Sequence, residues 1–190
     1  MKQARILGAA IAMGMLMGLP VRAANLDHVN QLLTTNACRG CDLSGADLRG
    51  AILTRADLRG ANLSGANLQD ALLLLTDLRG ANLTNANLTA AYMNRTDLRE
   101  ANLSGATLVD AGLRDTLWKG ANLQGANFAG SDLSYADLRD TNLTNANLTA
   151  TNLLFTRLNK TNLQGANLEG AYRSERPYQL NRDFLKPWLP

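Results

Sequence analysis

The most informative shortage in this sequence is of residues that commonly carry chemistry. The 190 residues include one histidine, two cysteines and only 5% aromatic side chains. With His28 as the only imidazole, a histidine-dependent catalytic triad requires this one residue to reach the nucleophile from its own segment. A metal site needs more ligands than one histidine and one cysteine pair supply. Few aromatic rings also leave no evident stacking platform for single-stranded nucleic acid. The sequence therefore predicts no catalytic, metal or cofactor site.

A long apolar run without charge occurs only near the N-terminus. Residues 6–19 read ILGAAIAMGMLMGL, after a basic start and before a proline. This run is shorter than the roughly 20 residues that a helix needs to cross a bilayer. The following VRA has the small-residue spacing that suits cleavage after Ala23. Residues 1–23 are therefore predicted to be a cleaved signal peptide, and the chain is predicted to be exported.

The positive formal charge of the chain comes from this same segment. Lys2, Arg5 and Arg22 account for the net charge of +3, because residues 1–23 contain no acid. The rest of the chain then has 19 − 3 = 16 basic and 16 acidic residues and is formally neutral. The high overall isoelectric point is therefore no indication of nucleic-acid binding.

A five-residue period dominates the remainder of the chain. From Cys41 to Gly170 the sequence divides into 26 consecutive fives, with Leu third in 23 of them and Ala first in 17. Five residues advance a helix by about 500°, so the leucines would not stay on one face. In a flat strand an odd period sends successive leucines to opposite faces. The chain is therefore predicted to turn a corner every five residues, with the first and third side chains directed inward.

A second period of 20 residues sets the number of fives in one coil. ADLRG at 56, TDLRG at 76, TDLRE at 96 and ADLRD at 136 recur at multiples of 20. Four fives per coil give a square cross-section. With these residues, the chain resembles the pentapeptide-repeat family, whose motif is A(D/N)LXX, over residues 41–170. The resemblance implies an all-β solenoid, a right-handed quadrilateral β-helix, which at about 4.8 Å per coil is roughly 31 Å long.

Both ends of such a rod require caps, because a terminal coil has no neighbour on one side. Residues 24–40 are predicted to form an N-terminal capping helix that Asn25 begins and that has one apolar face. The residues on that face are Leu26, Val29, Leu32 and Leu33. Residues 171–190 are interpreted as a C-terminal cap or tail over the last coil. The alternative for this tail is docking to another protein.

Cys38 and Cys41 form a CxxC pair at the start of the period. Register places both side chains inward, and an exported protein meets an oxidising compartment. The favoured interpretation is a structural disulfide that fixes the helical cap to the first coil. Two buried thiols, or a redox or metal role, are the alternatives.

The outward residues differ among the four sides of the predicted coil. The side that contains the DLR fives carries one cation per coil, at Arg59, Arg79, Arg99, Lys119 and Arg139, with aspartates two residues earlier in four of the five. A basic stripe of this kind is able to bind an anionic polymer, but its adjacent acids favour a salt-bridged, solvated surface. The next two sides carry mainly Asn, Ser, Thr, Gln and Gly and indicate no site.

The fourth side is the exception, with the fives AILTR, ALLLL, AYMNR, AGLRD, SDLSY, TNLLF and AYRSE. A contiguous apolar patch on a soluble protein usually marks a contact surface, so this side is predicted to be a protein-contact face. The alternatives are that the cap helix or the tail covers it, or that it has no role. Its predicted contact residues are Ile52, Leu72, Leu74, Leu75, Tyr92, Tyr135, Leu154 and Phe155.

These observations favour a non-enzymatic, exported scaffold or protein-binding rod, with a protein partner or a second copy on the fourth side. No nucleic acid and no membrane insertion after signal cleavage are expected. The resemblance implies the periplasm, or the thylakoid lumen if the source is a cyanobacterium. Two alternatives remain: a thiol-redox protein that uses the CxxC pair, and the DNA-mimicking, gyrase-binding role of some family members. A neutral, exported rod disfavours the second, because a DNA mimic needs an acidic surface and a cytosolic location.

Overall fold

The computed structural model describes residues 24–173. The predicted signal peptide, residues 1–23, and residues 174–190 of the predicted C-terminal cap or tail lie outside the described residues. Between residues 24 and 173, no helix has the length and apolar character that a bilayer span requires.

Helix α1 spans Leu26–Thr35 and packs over the first coil. Asn25 begins it, since its side chain accepts hydrogen bonds from the N–H groups of Asp27 and His28. Leu32 is fully buried against the core, and Val29 and Leu33 pack beside it. Leu26, which the sequence places on the same face, instead remains 58% exposed because it lies in the first turn. The helix thus packs against the core through Val29, Leu32 and Leu33 rather than through Leu26.

The helix ends at Asn36, whose backbone is left-handed and whose N–H donates to Leu32 O. The coil begins directly after it and therefore earlier than predicted, since Ala37 already pairs with Asp57. From there each pairing is a parallel bridge between residues 20 positions apart, and the last one joins Asn152 and Tyr172. Four fives per coil follow from that spacing. The described coils form a solenoid of isolated bridges rather than of long strands.

Three backbone hydrogen bonds repeat around the solenoid, and the five that contains Leu73 illustrates them. Leu73 N donates to Tyr92 O in the next coil at 2.8 Å, and Leu72 N donates to Ala51 O in the previous coil at 2.9 Å. Thr76 N donates back to Leu73 O at 3.2 Å and closes the corner. Each five therefore pairs with the coil before it and the coil after it, and it forms one side of the square.

The interior is a continuous column of third-position leucines with small first-position residues between them. Where Thr replaces Ala at the first position, its buried hydroxyl needs an acceptor. Thr76 Oγ1 donates to Leu53 O, and Thr96 Oγ1 donates to Leu73 O, both at 2.7 Å. No buried side-chain nitrogen or oxygen in the described part of the chain lacks a partner.

The geometry of the corners explains why Asn or Asp recurs at the second position and Gly at the fifth. An Asn or Asp at the second position accepts a hydrogen bond from the N–H of the fourth residue, as Asn152 Oδ1 does from Leu154 N at 3.1 Å. The fifth residue has a left-handed backbone, with φ of 65° at Gly45, for example. Glycine adopts this conformation without steric strain, so many fives end in it.

Candidate contact face

The fourth side of the solenoid consists of residues 51–55, 71–75, 91–95, 111–115, 131–135, 151–155 and 171–173. Its second positions form one bridge ladder that runs through Ile52, Leu72, Tyr92, Gly112, Asp132, Asn152 and Tyr172. Of the eight predicted contact residues, five are exposed and three, Leu72, Leu74 and Leu154, are half-buried. All eight lie outside the core, while the third-position Leu73 between two of them is fully buried.

Exposed apolar side chains are concentrated on this side. Seven large apolar residues are exposed among residues 24–173, and five of them, with 44% to 66% of their surface exposed, lie on the fourth side. The other two are Leu26 on α1 and Leu117 on the side with the DLR fives. The five are Ile52, Leu75, Tyr92, Tyr135 and Phe155.

The second positions of the fourth side give up a local hydrogen bond that the other sides usually keep. Ile52 and Leu72 have no side-chain oxygen to accept the N–H of the fourth residue in their fives, and the Tyr92 hydroxyl lies at the far end of its ring, too far away to do so. The second side consists of residues 61–65 and the fives that lie at multiples of 20 residues from them in either direction. At Asn152 on the fourth side, and at Asn62 on the second side, the bond is present. Such a bond contributes about 0.5–1.5 kcal/mol. The apolar residues are therefore present despite a local loss of stability.

The fifth positions of the fourth side are also unfavourable for the backbone. Leu75, Tyr135 and Phe155 have φ values of 58°, 61° and 57°, a conformation in which a bulky side chain is strained by roughly 1–2 kcal/mol. None of the six described fifth positions on this side is glycine, whereas Gly45, Gly65 and Gly105 occupy this position on the second side. Residues other than glycine also adopt this conformation at the fifth positions of the other sides, as at Asp70, Ala90 and Glu100.

Charged residues divide the apolar surface into two clusters. Arg95 and Arg114 both lie near Asp115, with Nε to Oδ2 distances of 3.9 and 3.7 Å. Arg114 also stacks over the ring of Tyr135, 4.8 Å from its centroid. The predicted face is therefore not one continuous stripe. The first cluster comprises Ile52, Leu72, Leu74, Leu75 and Tyr92, and the second comprises Tyr135, Leu154, Phe155 and Tyr172.

The second cluster is ordered by ring contacts. Tyr135 and Phe155 stack in successive coils with their centroids 4.8 Å apart. Aromatic pairs of this kind contribute about 0.5–1.5 kcal/mol beyond area burial. The two stacked rings form an exposed apolar surface next to the Arg114 guanidinium.

Two residues of this side have roles that the sequence did not indicate. Gly112 has no side chain to accept the N–H of Arg114, and Asn94 of the previous coil accepts it instead at 2.9 Å. The Asn94 side chain is thus directed along the surface toward the next coil. Its position beside Gly112 is visible only once coils are stacked, since the two residues are 18 apart in sequence.

The side that contains the DLR fives carries paired rather than free arginines. Arg79 donates to both carboxylate oxygens of Asp77, at 2.9 and 2.7 Å. Hydrogen bonds from the Arg59 guanidinium hold the pKa of Asp57 at about 2, so this carboxylate stays ionised well below neutral pH. An open groove of about 480 Å³ lies along this side. Its lining includes Arg39, Arg59, Arg79, Arg99 and Glu100.

Cys38 and Cys41 are both buried in the first coil, and their sulfur atoms lie at bonding distance. Their Cα atoms are 5.3 Å apart, a spacing that suits a disulfide. The pair spans a corner of the coil and does not link α1 covalently, because both cysteines belong to the coil. The contact with α1 is instead between Cys38 Sγ and His28 O at 3.2 Å.

His28 has a partner that the sequence did not reveal. His28 is half-buried, and its Nδ1 accepts a hydrogen bond from Asp42 N at 3.0 Å. It therefore helps to attach α1 to the first coil. In residues 24–173, no three His, Cys, Asp or Glu side chains converge as a metal-binding group.

The repeat geometry agrees with a known protein family. The family model for pentapeptide repeats matches this chain in eight copies, over residues 38–73, 76–115, 106–145 and 136–172. The chain belongs to the pentapeptide-repeat family. No curated protein sequence matches it.

Solved structures of pentapeptide-repeat proteins are among those similar to this chain. One from the Arabidopsis thaliana thylakoid lumen is 32% identical over 59% of this chain and 75% of its own, with a TM-score of 0.44. One from the cyanobacterium Cyanothece 51142 is 26% identical over 78% and 99%, with a TM-score of 0.34. QnrB1, a plasmid-mediated fluoroquinolone resistance protein, is 21% identical over 74% and 84%, with a TM-score of 0.36.

Proposed function

We propose that this pentapeptide-repeat protein is an exported, non-enzymatic rod that binds a protein partner through its fourth side. The observation that carries the proposal is the concentration of exposed apolar residues on one side, three of which, Leu75, Tyr135 and Phe155, have a left-handed backbone. A surface that lowers the stability of its own fold is retained when it contributes elsewhere. Contact with another protein is the use that an apolar surface of this kind supports best.

The remaining features of the proposal come from the sequence and the family. The coil is proposed to be right-handed, and residues 171–190 are proposed to include a C-terminal cap or tail over the last coil, where Leu168 is only partly buried. The short apolar run of residues 6–19 supports export to the periplasm, or to the thylakoid lumen in a cyanobacterium.

The two alternative functions have less support. A thiol-redox role needs an accessible sulfur, whereas Cys38 and Cys41 are 0% and 4% exposed. A DNA mimic needs an acidic surface, whereas the chain after residue 23 has equal numbers of acids and bases. The arginines that line the groove on the side with the DLR fives further oppose such mimicry.

Site-specific photo-crosslinking in the exporting cell tests the proposed contact face. A photoreactive residue is placed at Leu75 or Phe155, and the matched controls are Asn85 and Asn145, which have the same fifth position and left-handed backbone on the second side. We expect protein crosslinks from the fourth side at least about tenfold above the controls, which corresponds to about 1.4 kcal/mol of preference. We also expect Leu154→Asp to remove the crosslink at position 75 or 155.

Equal crosslinking from both sides, or none from the fourth, would contradict the proposed contact face. The thermal transition of each variant serves as the folding control. Because all four positions have left-handed backbones at the surface, the same substitution is expected to affect the fold similarly at each of them.

A further inference from the structure

The open groove on the side with the DLR fives is separate from the proposed contact face. It has a volume of about 480 Å³, and Gly60 and Gly80 form part of its lining. A Cβ atom at either glycine would meet no heavy atom within 4 Å beyond its chain neighbours, so the surface is open at these positions. The groove extends over the first four coils with one arginine from each, namely Arg39, Arg59, Arg79 and Arg99.

Aspartates hold these guanidinium groups in place without using all of their donors. Arg79 donates through Nε and Nη2 to the two carboxylate oxygens of Asp77, and Asp97 Oδ2 of the next coil lies 3.7 Å from Arg79 Nε. A guanidinium carries five N–H donors in one plane. The Nη1 group and the second N–H of Nη2 form its far edge, which suits a second carboxylate in a bidentate pair. Each such arginine is therefore fixed in orientation and retains donors for a ligand.

The arginines are more accessible to a ligand than the aspartates that hold them. The side chain of Arg99 is 45% exposed, whereas that of Asp97 is 20% exposed. The pair of Arg79 and Asp77 has the same order. Arg39 is also exposed, and it has alanine instead of aspartate two residues earlier in its five. A ligand in the groove thus meets mainly guanidinium groups, with the least compensation by acids in the first coil.

The acids of this side restrict the kind of anion that fits. Asp57, Asp77 and Asp97 lie beside the arginines, and Glu100 lines the far end of the groove, where its Cγ lies 3.6 Å from a Cβ placed at Gly120. These acids would repel a ligand with dense negative charge, such as a polyphosphate or a nucleic acid. A ligand that combines one carboxylate per unit with several hydroxyl groups suits both types of residue, because carboxylates accept from arginine and hydroxyls donate to carboxylate oxygens.

The spacing of the arginines indicates the size of the repeating unit. Successive arginines are one coil apart, about 4.8 Å, and an extended chain of 1,4-linked sugar rings advances by about the same distance per ring. Three coil steps separate Arg39 from Arg99, roughly 14 Å, so the groove accommodates about four rings. An extended peptide does not keep this register, since side chains on one of its faces recur about every 6.6 Å.

We infer that the groove on the side with the DLR fives binds a uronic-acid oligosaccharide, a chain of sugar rings with one carboxylate on each ring. The free edges of Arg39, Arg59 and Arg79 donate to carboxylates of the sugar, and the neighbouring aspartates and Glu100 accept hydrogen bonds from its hydroxyl groups. This binding goes beyond the proposed function and uses a different side of the rod. Either of the two is therefore able to fail without the other.

Isothermal titration calorimetry of the purified chain tests this inference, with the 1,4-linked tetramer of galacturonic acid as the probe. The groove is open and offers few contacts, so probe concentrations from about 10 µM to about 5 mM are needed. The fully methyl-esterified tetramer has the same rings without the charges, and it is expected to bind at least about tenfold more weakly. Inorganic tetraphosphate tests charge alone and is also expected to bind more weakly than the uronate tetramer, because the acids of the groove repel it.

Arg79→Gln removes one guanidinium from the middle of the groove. Arg139→Gln is the matched control, because Arg139 donates to Asp137 in the same way, at 2.8 and 2.7 Å, but lies outside the lining of the groove. We expect the affinity for the uronate tetramer to fall at least about tenfold in Arg79→Gln and to stay within about twofold in Arg139→Gln. Arg79→Lys keeps the charge but not the planar fork, so its affinity is expected to lie between those of Arg79→Gln and the parent. The thermal transition serves as the folding control, since surface ion pairs contribute little to stability.

Four outcomes would overturn the inference. The first is a parent chain that does not bind the uronate tetramer, and the second is equal binding of the tetramer and its methyl ester. The third is an equal loss of affinity in Arg79→Gln and Arg139→Gln, which would show attraction by the overall charge rather than by the groove. The fourth is tighter binding of tetraphosphate than of the tetramer, which would identify a phosphate polymer as the ligand instead of a sugar acid.

Discussion

Replacing Leu73 with aspartate is expected to unfold the solenoid, whereas the same substitution two residues later is not. Leu73 is fully buried in the core, with Leu53 and Met93 at the equivalent positions of the coils before and after it. A carboxylate there has no partner and must either lose hydration or take up a proton. We expect the free energy of unfolding to fall by about 4 kcal/mol or more, measured by denaturant titration followed by circular dichroism.

Leu75→Asp is the matched control for this substitution. Leu75 is 44% exposed, and Asp115 already occupies the equivalent fifth position two coils later. Its free energy of unfolding is expected to stay within about 1 kcal/mol of the parent. Equal losses for Leu73→Asp and Leu75→Asp would show that the inward and outward positions are assigned incorrectly.

Trp118→Ala is expected to produce the second large loss. Trp118 is the largest fully buried side chain, and its ring meets the Phe128 ring edge to face with centroids 6.0 Å apart. Its Nε1 donates to Thr116 Oγ1 at 2.6 Å. Removal of the indole leaves a cavity that the stacked coils are unable to fill, which typically costs about 3–5 kcal/mol. The denaturation midpoint is the quantity to be measured.

Trp118→Leu serves as the control, since leucine is the usual residue at the third position. It restores most of the apolar contact but leaves part of the indole volume empty, so we expect a loss of about 1–2 kcal/mol. A Trp118→Ala variant as stable as the Trp118→Leu variant would indicate that the coils collapse around the gap. In that case the central column is less rigid than its packing indicates.

Much of this fold is predictable from sequence because the same five-residue pattern recurs in every coil. The period of five predicts the inward leucines and the small first residues, and the period of 20 predicts four fives per coil. The parallel bridges confirm the second period, because each joins residues 20 positions apart. Positions where the repeat breaks are harder to interpret. Leu26 is exposed although the sequence places it on the apolar face of α1, because it lies in the first turn of the helix.

The candidate site was predictable in its location but not in its detail. Sorting outward residues by side identified the fourth side, yet its division into two clusters depends on side chains from different coils. Arg114 reaches Tyr135 in the next coil, and Asn94 bonds to Arg114 N across the same distance. Such contacts depend on rotamers and on stacking, neither of which a linear pattern specifies.

The fourth side carries residues that lower local stability. At Leu72 the chain lacks a capping hydrogen bond, and at Leu75 it accepts a strained backbone. In residues 61–65 on the second side, these positions carry the residues that suit the corner best, Asn62 and Gly65. If Leu72 and Leu75 serve contact with a partner, replacing them with asparagine and glycine should leave the isolated fold at least as stable as the parent.

The stability of the Leu72→Asn/Leu75→Gly double variant tests this account most directly. Asparagine supplies the bond that Asn152 makes to Leu154 N, worth about 0.5–1.5 kcal/mol. Glycine removes strain of about 1 kcal/mol, against an unfolded-chain entropy term of about 0.4–1 kcal/mol. We predict a free energy of unfolding equal to or above that of the parent, measured by denaturant titration. A loss of more than about 2 kcal/mol would contradict the account, because Leu72 and Leu75 would then stabilise the rod itself rather than contact a partner.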